Sequence, residues 1–295
     1  MSEMEFDIET IDCPCCGPAS YTVWIEQKDH TRYVKCNSCG TIYASPRASH
    51  ASRFAWLKET FALEDSTLRI NESRRPTLAL EAHILTSLVH GGNLLDVGCS
   101  TGDFFDFFDS NRWQKYGVEL SPSTAAHAAK KQNADVRAGT LESACFPAGF
   151  FDLVTMIDMF YYEEDPQALL REAARVIRPE GLLVIELPGQ GFHKLRGNGL
   201  ICWLMDRTWT RFNSHSGYLN WYSPAGIEKL LNQTGFDVFQ WKVIGAPKRS
   251  GLSQTISTAY FQLMRILVTL WPRLITWAPK YLIMAKTRKV GAISY

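Results

Sequence analysis

Residues 94–104 read LLDVGCSTGDF, and this stretch decides the fold. Its apolar start predicts a short buried strand, and Gly98 and Gly102 permit a tight turn before a segment with helical spacing. A strand, a glycine turn and a helix in this order predict a nucleotide-type ligand at the carboxyl end of a sheet. Asp96 stands just before the turn, where a carboxylate would repel a phosphate. The stretch therefore favours a ligand with a cationic end.

Strands and helices alternate after this segment. Helices are expected in PSTAAHAAKKQ and in DPQALLREAARVI, the second running up to Pro179 and Gly181. Repeated βα units predict an α/β fold with a doubly wound, mostly parallel sheet, and the late position of YLIMAKTRK fits a final antiparallel strand. The expected strands are NLLDVG, KYGVELS, ADVRAG, FDLVTMID, GLLVIELP, FDVFQWKVIG and YLIMAKTRK.

Composition describes an ordinary globular protein, with 46% hydrophobic and 21% charged residues in a chain of 295. The net charge of +1 gives no general argument for a nucleic-acid partner, but the charge is uneven. Residues 1–46 carry three basic and seven acidic side chains, whereas residues 238–295 carry nine basic and no acidic ones. The acidic N-terminus has no apolar core, so we expect no signal peptide. The sequence contains no run of about 18 uncharged apolar residues, so we expect no membrane-spanning helix. The expected location is cytoplasmic.

Cysteines are concentrated at the start of the chain. Cys13 and Cys16 are followed by Cys36 and Cys39, and this C-x₂-C…C-x₂-C spacing is typical of a zinc ribbon with four thiolate ligands. The segments YTVWIEQ and RYVKC between the two pairs alternate as a hairpin would. Cys15 allows an alternative ligand pair or a reactive thiol, but we expect the zinc to be structural.

Glu119 ends the second predicted strand, about twenty residues after the glycine turn. A carboxylate at this place can accept hydrogen bonds from both hydroxyls of a ribose. NAD and S-adenosyl-L-methionine (SAM) are both compatible with that role. Asp96 and the single glycine turn favour the ligand with an amino-acid ammonium, which is SAM.

At this point the chain resembles a known family. LLDVGCSTGDF, YGVELSP, AGTLESACFPAGFFDLVTMID and REAARVIRPEGLLVIELP match, in order, the motifs of class I SAM-dependent methyltransferases. CPCCG…CNSCGTIYASPR also resembles the zinc ribbon that precedes one subgroup of these enzymes. The resemblance implies a Rossmann-like seven-stranded sheet. In the segment after the fourth predicted strand, Asp158 matches the aspartate typical of that subgroup. Tyr161 and Tyr162 replace the acid–histidine pair that the subgroup typically has there.

The resemblance also implies cofactor-binding residues. Asp96, Gly98 and Ser100 would line the methionine end of SAM, and Gly102 would let the backbone approach it. Glu119 would hold the ribose. Three further residues would surround the adenine, and these are Leu120, Leu141 and Glu142.

Residues for the acceptor are expected after the GLLVIELP strand. His215 is the candidate base, since its ordinary pKa lies near neutrality, and His193 is the second candidate. Tyr218 stands where the family commonly has a histidine, and Asp158 could position cofactor or substrate. The tryptophans of this region would stack on a sugar or pack as a cap, and these are Trp203, Trp209 and Trp221.

An amphipathic helix is predicted near the end of the chain, with Pro272 ending it around Trp271. It would pack on its own domain or on a second subunit of a homodimer. Alternatively it would lie on an anionic membrane at the inner face, with Arg265 and Arg273 toward the headgroups. The apolar stripe is Leu252, Ile256, Tyr260, Leu263, Leu267, Leu270, Leu274 and Trp277.

The predicted organisation is a zinc ribbon at residues 1–46, a helical linker at 47–90 and a methyltransferase domain at 91–295. Within this domain, 189–224 would cap the acceptor side and 250–278 would contain the amphipathic helix. We expect methyl transfer to oxygen of a small molecule, sugar or glycolipid. The alternatives are an RNA methyltransferase, disfavoured by the acidic ribbon, and a SAM-binding scaffold without turnover.

Overall fold

The computed structural model describes residues 8–26, 32–49, 53, 65–196, 218–245 and 252–288. The strands in chain order are β1 (Ile8–Glu9), β2 (Tyr21–Glu26), β3 (Arg32–Cys36), β4 (Ile42–Ala44), β5 (Arg47–Ala48), β6 (Gly92–Val97), β7 (Trp113–Glu119), β8 (Asp135–Ala138), β9 (Phe151–Met156), β10 (Ile177–Pro188), β11 (Asn220–Trp221), β12 (Phe236–Ile244) and β13 (Lys280–Thr287). The α-helices are α1 (Asp65–Thr86), α2 (Pro122–Gln132), α3 (Pro166–Val176), α4 (Gln190–Arg196), α5 (Pro224–Gln233) and α6 (Leu252–Leu270).

A seven-stranded sheet forms the centre, in the order β12-β13-β10-β9-β6-β7-β8. The strands from β10 to β8 pair in parallel, while β13 is antiparallel to both β10 and β12. This arrangement confirms the predicted α/β sheet with its late antiparallel strand. The carboxyl ends of β6, β7, β9 and β10 therefore share one edge, and β13 begins at that edge opposite Pro188.

Both faces of the central sheet are buried, as expected for parallel strands covered by helices. In β10, Leu183 and Ile185 pack into one apolar core, while Leu182 and Val184 pack into the other. Helix α1 covers the second core with Leu78 and other apolar side chains. Glu186 has the same strand parity as Leu182, so it points toward the face that α1 covers.

Two predicted boundaries differ from the structure. Helix α3 ends at Val176 instead of continuing toward Pro179, and β10 begins at once with Ile177. Proline cannot donate an amide hydrogen bond within a helix, and the pairing of β10 with β9 shifts register between Ile177 and Leu182. The segment after the glycine turn forms only a short 3₁₀ helix, Asp103–Phe107.

A second sheet lies at the cysteine-rich end, in the order β11-β4-β3-β2. The hairpin predicted between the cysteine pairs is present, because β2 pairs antiparallel with β3. Its fourth strand, β11, comes from a segment far along the chain, within the predicted acceptor-side cap. Among the described helices, none is long and apolar enough to cross a bilayer.

Candidate functional site

The glycine turn after β6 has the backbone that its sequence predicts. Gly98 and Gly102 have φ angles of 74° and 73°, a region that side chains with a Cβ rarely adopt. A Cβ added at Gly98 would lie 3.0 Å from the Cβ of Met159. The amide of Gly98 donates to the carbonyl of Val118, which fixes the turn beside β7. The turn thus brings the backbone close to the ends of β6 and β7.

Glu119 lies buried at the end of β7, and its carboxylate faces the turn. One oxygen accepts the amide of Ser100 at 3.0 Å and the other accepts the amide of Ser121 at 2.9 Å. Burial raises the pKa of Glu119, and these backbone donors limit the increase. Leu120 follows and is half-buried. A carboxylate held in this way has lone pairs left for the hydroxyls of a ligand.

Asp96 lies on β6 beside Glu119 and is buried. Its carboxylate accepts a hydrogen bond of 2.6 Å from the hydroxyl of Thr155. Burial raises the pKa of Asp96 to about 7, while Thr155 and the positive charge of Arg74 oppose that increase. A carboxyl group with this pKa would be ionised more fully by a ligand that brings a positive charge. The carboxylates of Asp96 and Glu119 are thus hydrogen-bond acceptors that fit the ammonium and the ribose hydroxyls of SAM.

The predicted adenine residues divide between the interior and the surface. Leu141 is buried in the turn after β8, whereas Glu142 beside it is exposed. The neighbouring residue Thr140 forms a local turn with Ser143, whose hydroxyl accepts the Thr140 amide at 2.9 Å. The structure therefore places Leu141 in the apolar core and leaves Glu142 in contact with solvent.

A group of charged side chains lies at the same edge of the sheet. It comprises Arg74 and Glu81 of α1, Asp158 after β9, Glu186 of β10 and Lys280 of β13, and we call it the buried ionic cluster. The Nζ of Lys280 lies 2.8 Å from Asp158 and 2.7 Å from Glu186. The guanidinium of Arg74 lies 3.3 Å from each of the same two carboxylates. Two cations are thus shared by two acids, and Glu81 is the third acid.

Within the buried ionic cluster, the pKa values of Asp158 and Glu81 are shifted in opposite directions. Burial alone would raise the pKa of Asp158, but Lys280 and Arg74 together hold it well below its usual range. Burial and the neighbouring Glu186 raise the pKa of Glu81 well above its usual range. Neither carboxyl oxygen of Glu81 has a hydrogen-bond partner among the described residues. These shifts favour the ionised form of Asp158 and the protonated form of Glu81.

Aromatic rings extend the cluster toward the ribbon. The hydroxyl of Tyr161 donates to Asp158, and its ring centroid lies 4.1 Å from that of Tyr218. Tyr218 lies 5.1 Å from Trp221, and the ring of His193 lies 4.9 Å from Trp221 on another side. The structure therefore brings Asp158 and Tyr218 together through Tyr161. His193 is connected to them through Trp221.

Some predicted site residues lie outside the described part of the chain. The sequence analysis also missed several residues that the structure places at the site. His215, Trp203 and Trp209 are outside the described residues. The sequence patterns did not identify Arg74, Glu81, Glu186 or Lys280. A signal exists for two of them: Glu186 and Lys280 are charged side chains in strands that are otherwise largely apolar. Buried charges of this kind usually require partners.

The four predicted zinc ligands lie together at the ribbon. The sulfur atoms of Cys13, Cys16, Cys36 and Cys39 are all within 4.8 Å of one another, and those of Cys13 and Cys39 are 3.7 Å apart. Tetrahedral Zn²⁺ with bonds of about 2.3 Å requires sulfur separations of about 3.8 Å. The sulfur of Cys15 instead lies 3.6 Å from the hydroxyl of Thr41. Donor type and spacing therefore fit one zinc ion.

The ribbon is joined to the site by polar contacts. The side-chain amide of Gln190 donates to the carbonyls of Gly40 and Trp221, each at 2.9 Å. The hydroxyl of Ser223 donates to the carbonyl of Cys39 at 2.5 Å. Gln190 begins α4 and Ser223 caps α5, so the ribbon is connected to a described helix before β11 and to one after it.

Comparisons with known proteins agree with the fold. A methyltransferase from Haloferax volcanii, solved with the Trm112 activator, superposes with a TM-score of 0.55 at 17% identity, over 80% of this chain and 97% of that one. The magnesium protoporphyrin IX methyltransferase of Synechocystis PCC 6803, with bound SAH, superposes with a TM-score of 0.50 at 13% identity, over 80% of this chain and 94% of that one. At these identities the superpositions show the fold alone.

Sequence relatives give more detail. The 27-O-demethylrifamycin SV methyltransferase of Amycolatopsis mediterranei is 29% identical over 44% of this chain and 48% of its own length, so the chain spans about half of that relative. The ubiquinone biosynthesis O-methyltransferase of Psychrobacter arcticus is 24% identical over 58% of this chain and 70% of its own length. The methyltransferase-domain family matches residues 70–240, which include the glycine turn, Glu119 and Asp158. With that match over more than half of its length, the chain belongs to the methyltransferase-domain family, and its fold is that of a class I SAM-dependent methyltransferase.

Proposed function

We propose that the protein transfers the methyl group of SAM to an oxygen atom of a small-molecule acceptor. The observation that carries the proposal is the pair of buried carboxylates, Asp96 and Glu119, on neighbouring strands beside the glycine turn. Asp96 would bind the ammonium of SAM and Glu119 its ribose. Gly98, Ser100 and Gly102 would surround the methionine end. Adenine would lie against Leu120 and Leu141, with Glu142 at its edge.

Oxygen as the accepting atom is supported by the names of the relatives, one of which is an O-methyltransferase. Transfer to a hydroxyl requires that its proton leave as the new bond forms. Asp158 is a weak base because Lys280 and Arg74 stabilise its charge, so we assign it a positioning role. A histidine is the better proton acceptor, and we retain His215 and His193 as candidates with Tyr218 beside the acceptor.

The zinc ribbon completes the proposal. One Zn²⁺ held by Cys13, Cys16, Cys36 and Cys39 would stabilise the segment that pairs with β11, a structural role that leaves no open coordination position. This arrangement would place the chain in the methyltransferase subgroup with an N-terminal ribbon. The acidic character of residues 1–46 does not favour RNA as the acceptor.

The cofactor site can be tested by calorimetric titration with SAH. Asp96→Asn and Glu119→Gln should each weaken binding at least about tenfold, because each removes a charge that faces the ligand. Asp109→Asn is the control, since Asp109 is an exposed carboxylate. Affinity of the unchanged protein should decrease as pH falls below about 7, where Asp96 in the free protein takes up a proton. Equal affinity for the variants and the control would contradict the assignment.

The acceptor class can be tested with methyl-labelled SAM and fractionated cell extract. Label in small polar or butanol-soluble material would support a small-molecule or lipid acceptor. Label that nuclease removes would replace this proposal with an RNA methyltransferase. Tight SAH binding without label in any fraction would indicate a SAM-binding scaffold.

A further inference from the structure

Helix α6 is apolar on two sides. Tyr260, Met264 and Val268 face the protein, and the last two are buried. Leu263, Ile266 and Leu270 face outward, with 51%, 61% and 61% of their surfaces exposed. The predicted single stripe is therefore wrong in detail: Leu263 and Leu270 lie outside, and Met264 and Val268 lie inside. Successive apolar residues at spacings of three and four make the exposed set a continuous face of the helix.

Two exposed tryptophans follow these residues in the chain. Trp271 is 59% exposed and Trp277 is 40% exposed. We call Leu263, Ile266, Leu270, Trp271 and Trp277 the outer stripe. Contiguous exposed apolar surface on a protein usually marks a contact with another molecule.

Within the described residues 258–277, the charged side chains are two arginines. Arg265 and Arg273 are exposed beside it, and neither has an ion-pair partner among the described residues. By contrast, the exposed cations Lys286 and Arg288 of the last strand region are paired with Glu180 and Asp237. Arg265 and Arg273 can therefore pair with anionic groups of another molecule.

The outer stripe adjoins the acceptor side of the site. The 3₁₀ helix Pro272–Trp277 packs on α4, where the amide of Gly191 donates to the hydroxyl of Thr276 at 3.0 Å. The hydroxyl of Tyr260 donates to the carbonyl of Trp277 at 2.6 Å, and its ring lies 5.6 Å from that of Phe192. Phe192 is the neighbour of His193. A surface that contacts the outer stripe would thus lie near the candidate acceptor residues.

We propose that the outer stripe binds the surface of an anionic lipid bilayer, and that the acceptor is an amphiphilic molecule dissolved in that bilayer. The second part rests on the proposed function. Exposed leucine, isoleucine and tryptophan side chains would enter the headgroup boundary, and Arg265 and Arg273 would pair with lipid phosphates. Helix α6 would lie in the plane of the interface. An anionic bilayer matches the outer stripe better than a folded protein partner does, because it offers an apolar interior to the exposed side chains and phosphates to both arginines.

Vesicle flotation tests the contact with the full-length protein. We compare vesicles of phosphatidylcholine alone with vesicles containing about 30% phosphatidylglycerol. We expect binding to the anionic vesicles only, weakening as salt is added. Ile266→Asn combined with Leu270→Asn should lower the partition coefficient at least about tenfold. Arg265→Glu combined with Arg273→Glu should lower it by a similar factor or more.

The matched control is Leu88→Asn, an exposed leucine, 43% exposed, just after the end of α1. It should bind vesicles as the unchanged protein does. Absence of binding to anionic vesicles would overturn the inference. So would a dimer in solution that Ile266→Asn with Leu270→Asn converts to a monomer, because a second copy would then cover the stripe. SAH binding is measured on the same proteins. Variants that lose flotation and keep SAH binding support the membrane contact, whereas an unchanged protein that floats with anionic vesicles and does not bind SAH would count against the proposed function alone.

Discussion

The thiol cluster of the ribbon and the buried ionic cluster of the sheet edge both concentrate ionisable groups, but they balance charge differently. The four thiolates of Cys13, Cys16, Cys36 and Cys39 would all be negative and would require a cation from outside the chain. The ionic cluster carries both signs, with Lys280 and Arg74 between Asp158 and Glu186. Glu81 forms no ion pair with the described residues, and burial favours its neutral form. The first cluster therefore depends on a ligand for stability, and the second depends on each of its members.

Loss of the metal should have the largest effect. Cys36→Ser should abolish binding of one zinc equivalent and lower the melting temperature strongly, because structural zinc contributes about 10–16 kcal/mol in small zinc-binding peptides. Zinc content and thermal unfolding are measured together. Cys145→Ser is the control, since that thiol is exposed and outside the cluster. Cys15→Ala should retain the metal, because its sulfur faces Thr41. A full zinc equivalent in Cys36→Ser would show that another ligand set binds the ion.

Removal of a cation from the ionic cluster should have the next largest effect. Lys280→Met leaves Asp158 and Glu186 with one cation in a buried site, so we expect a loss of about 3–5 kcal/mol in the free energy of unfolding. Lys286→Met is the matched control on the same strand, since that lysine is half-exposed and its pairing with Glu180 is worth less than about 1 kcal/mol. Urea unfolding of both variants measures the difference. Equal losses would mean that the cluster does not depend on its cations.

The smallest effect is expected at Glu81. The unfolded chain loses the proton of this carboxyl group above about pH 4.3, whereas burial keeps the proton in the folded chain. The contribution of Glu81 to the free energy of unfolding should therefore decrease as pH rises above about 4, and Glu81→Gln should lack this pH-dependent contribution. We expect the variant to be about as stable as the unchanged protein near pH 4 and more stable at pH 8. A variant that loses stability at pH 8 would show that the Glu81 carboxylate is charged in the folded protein.

These two clusters also differ in how well the sequence predicts them. The thiol ligands occur as two local pairs, so their spacing alone is enough to identify them. The ionic cluster draws on α1, the loop after β9, β10 and β13, which are separated by up to about two hundred residues. Only the strand order of the sheet brings these residues together. Because β13 runs antiparallel to β10, its first residue, Lys280, lies at the edge where β10 ends.

Elements with local signals were predicted well, and those formed by distant pairing were not. The strand and turn around Gly98, the capped helix α2 and the hairpin β2–β3 follow from short-range patterns. Strand β11 has only two residues, Asn220 and Trp221, and its pairing with β4 leaves no periodic signal in the sequence. The orientation of α6 also could not be predicted from the sequence, because apolar residues occupy both its inner and its outer face.

Strand β11 has a consequence for how the molecule opens. Its residues Asn220 and Trp221 pair with Tyr43 and Ile42, so a segment late in the chain is held by the early sheet. Local unfolding occurs in cooperative units. Here one such unit would combine strands from the beginning of the chain with β11, which comes much later in the sequence. An opening of the ribbon would therefore release β11 at the same moment, and the aromatic ring of Trp221 would lose the backbone that holds it beside His193 and Tyr218.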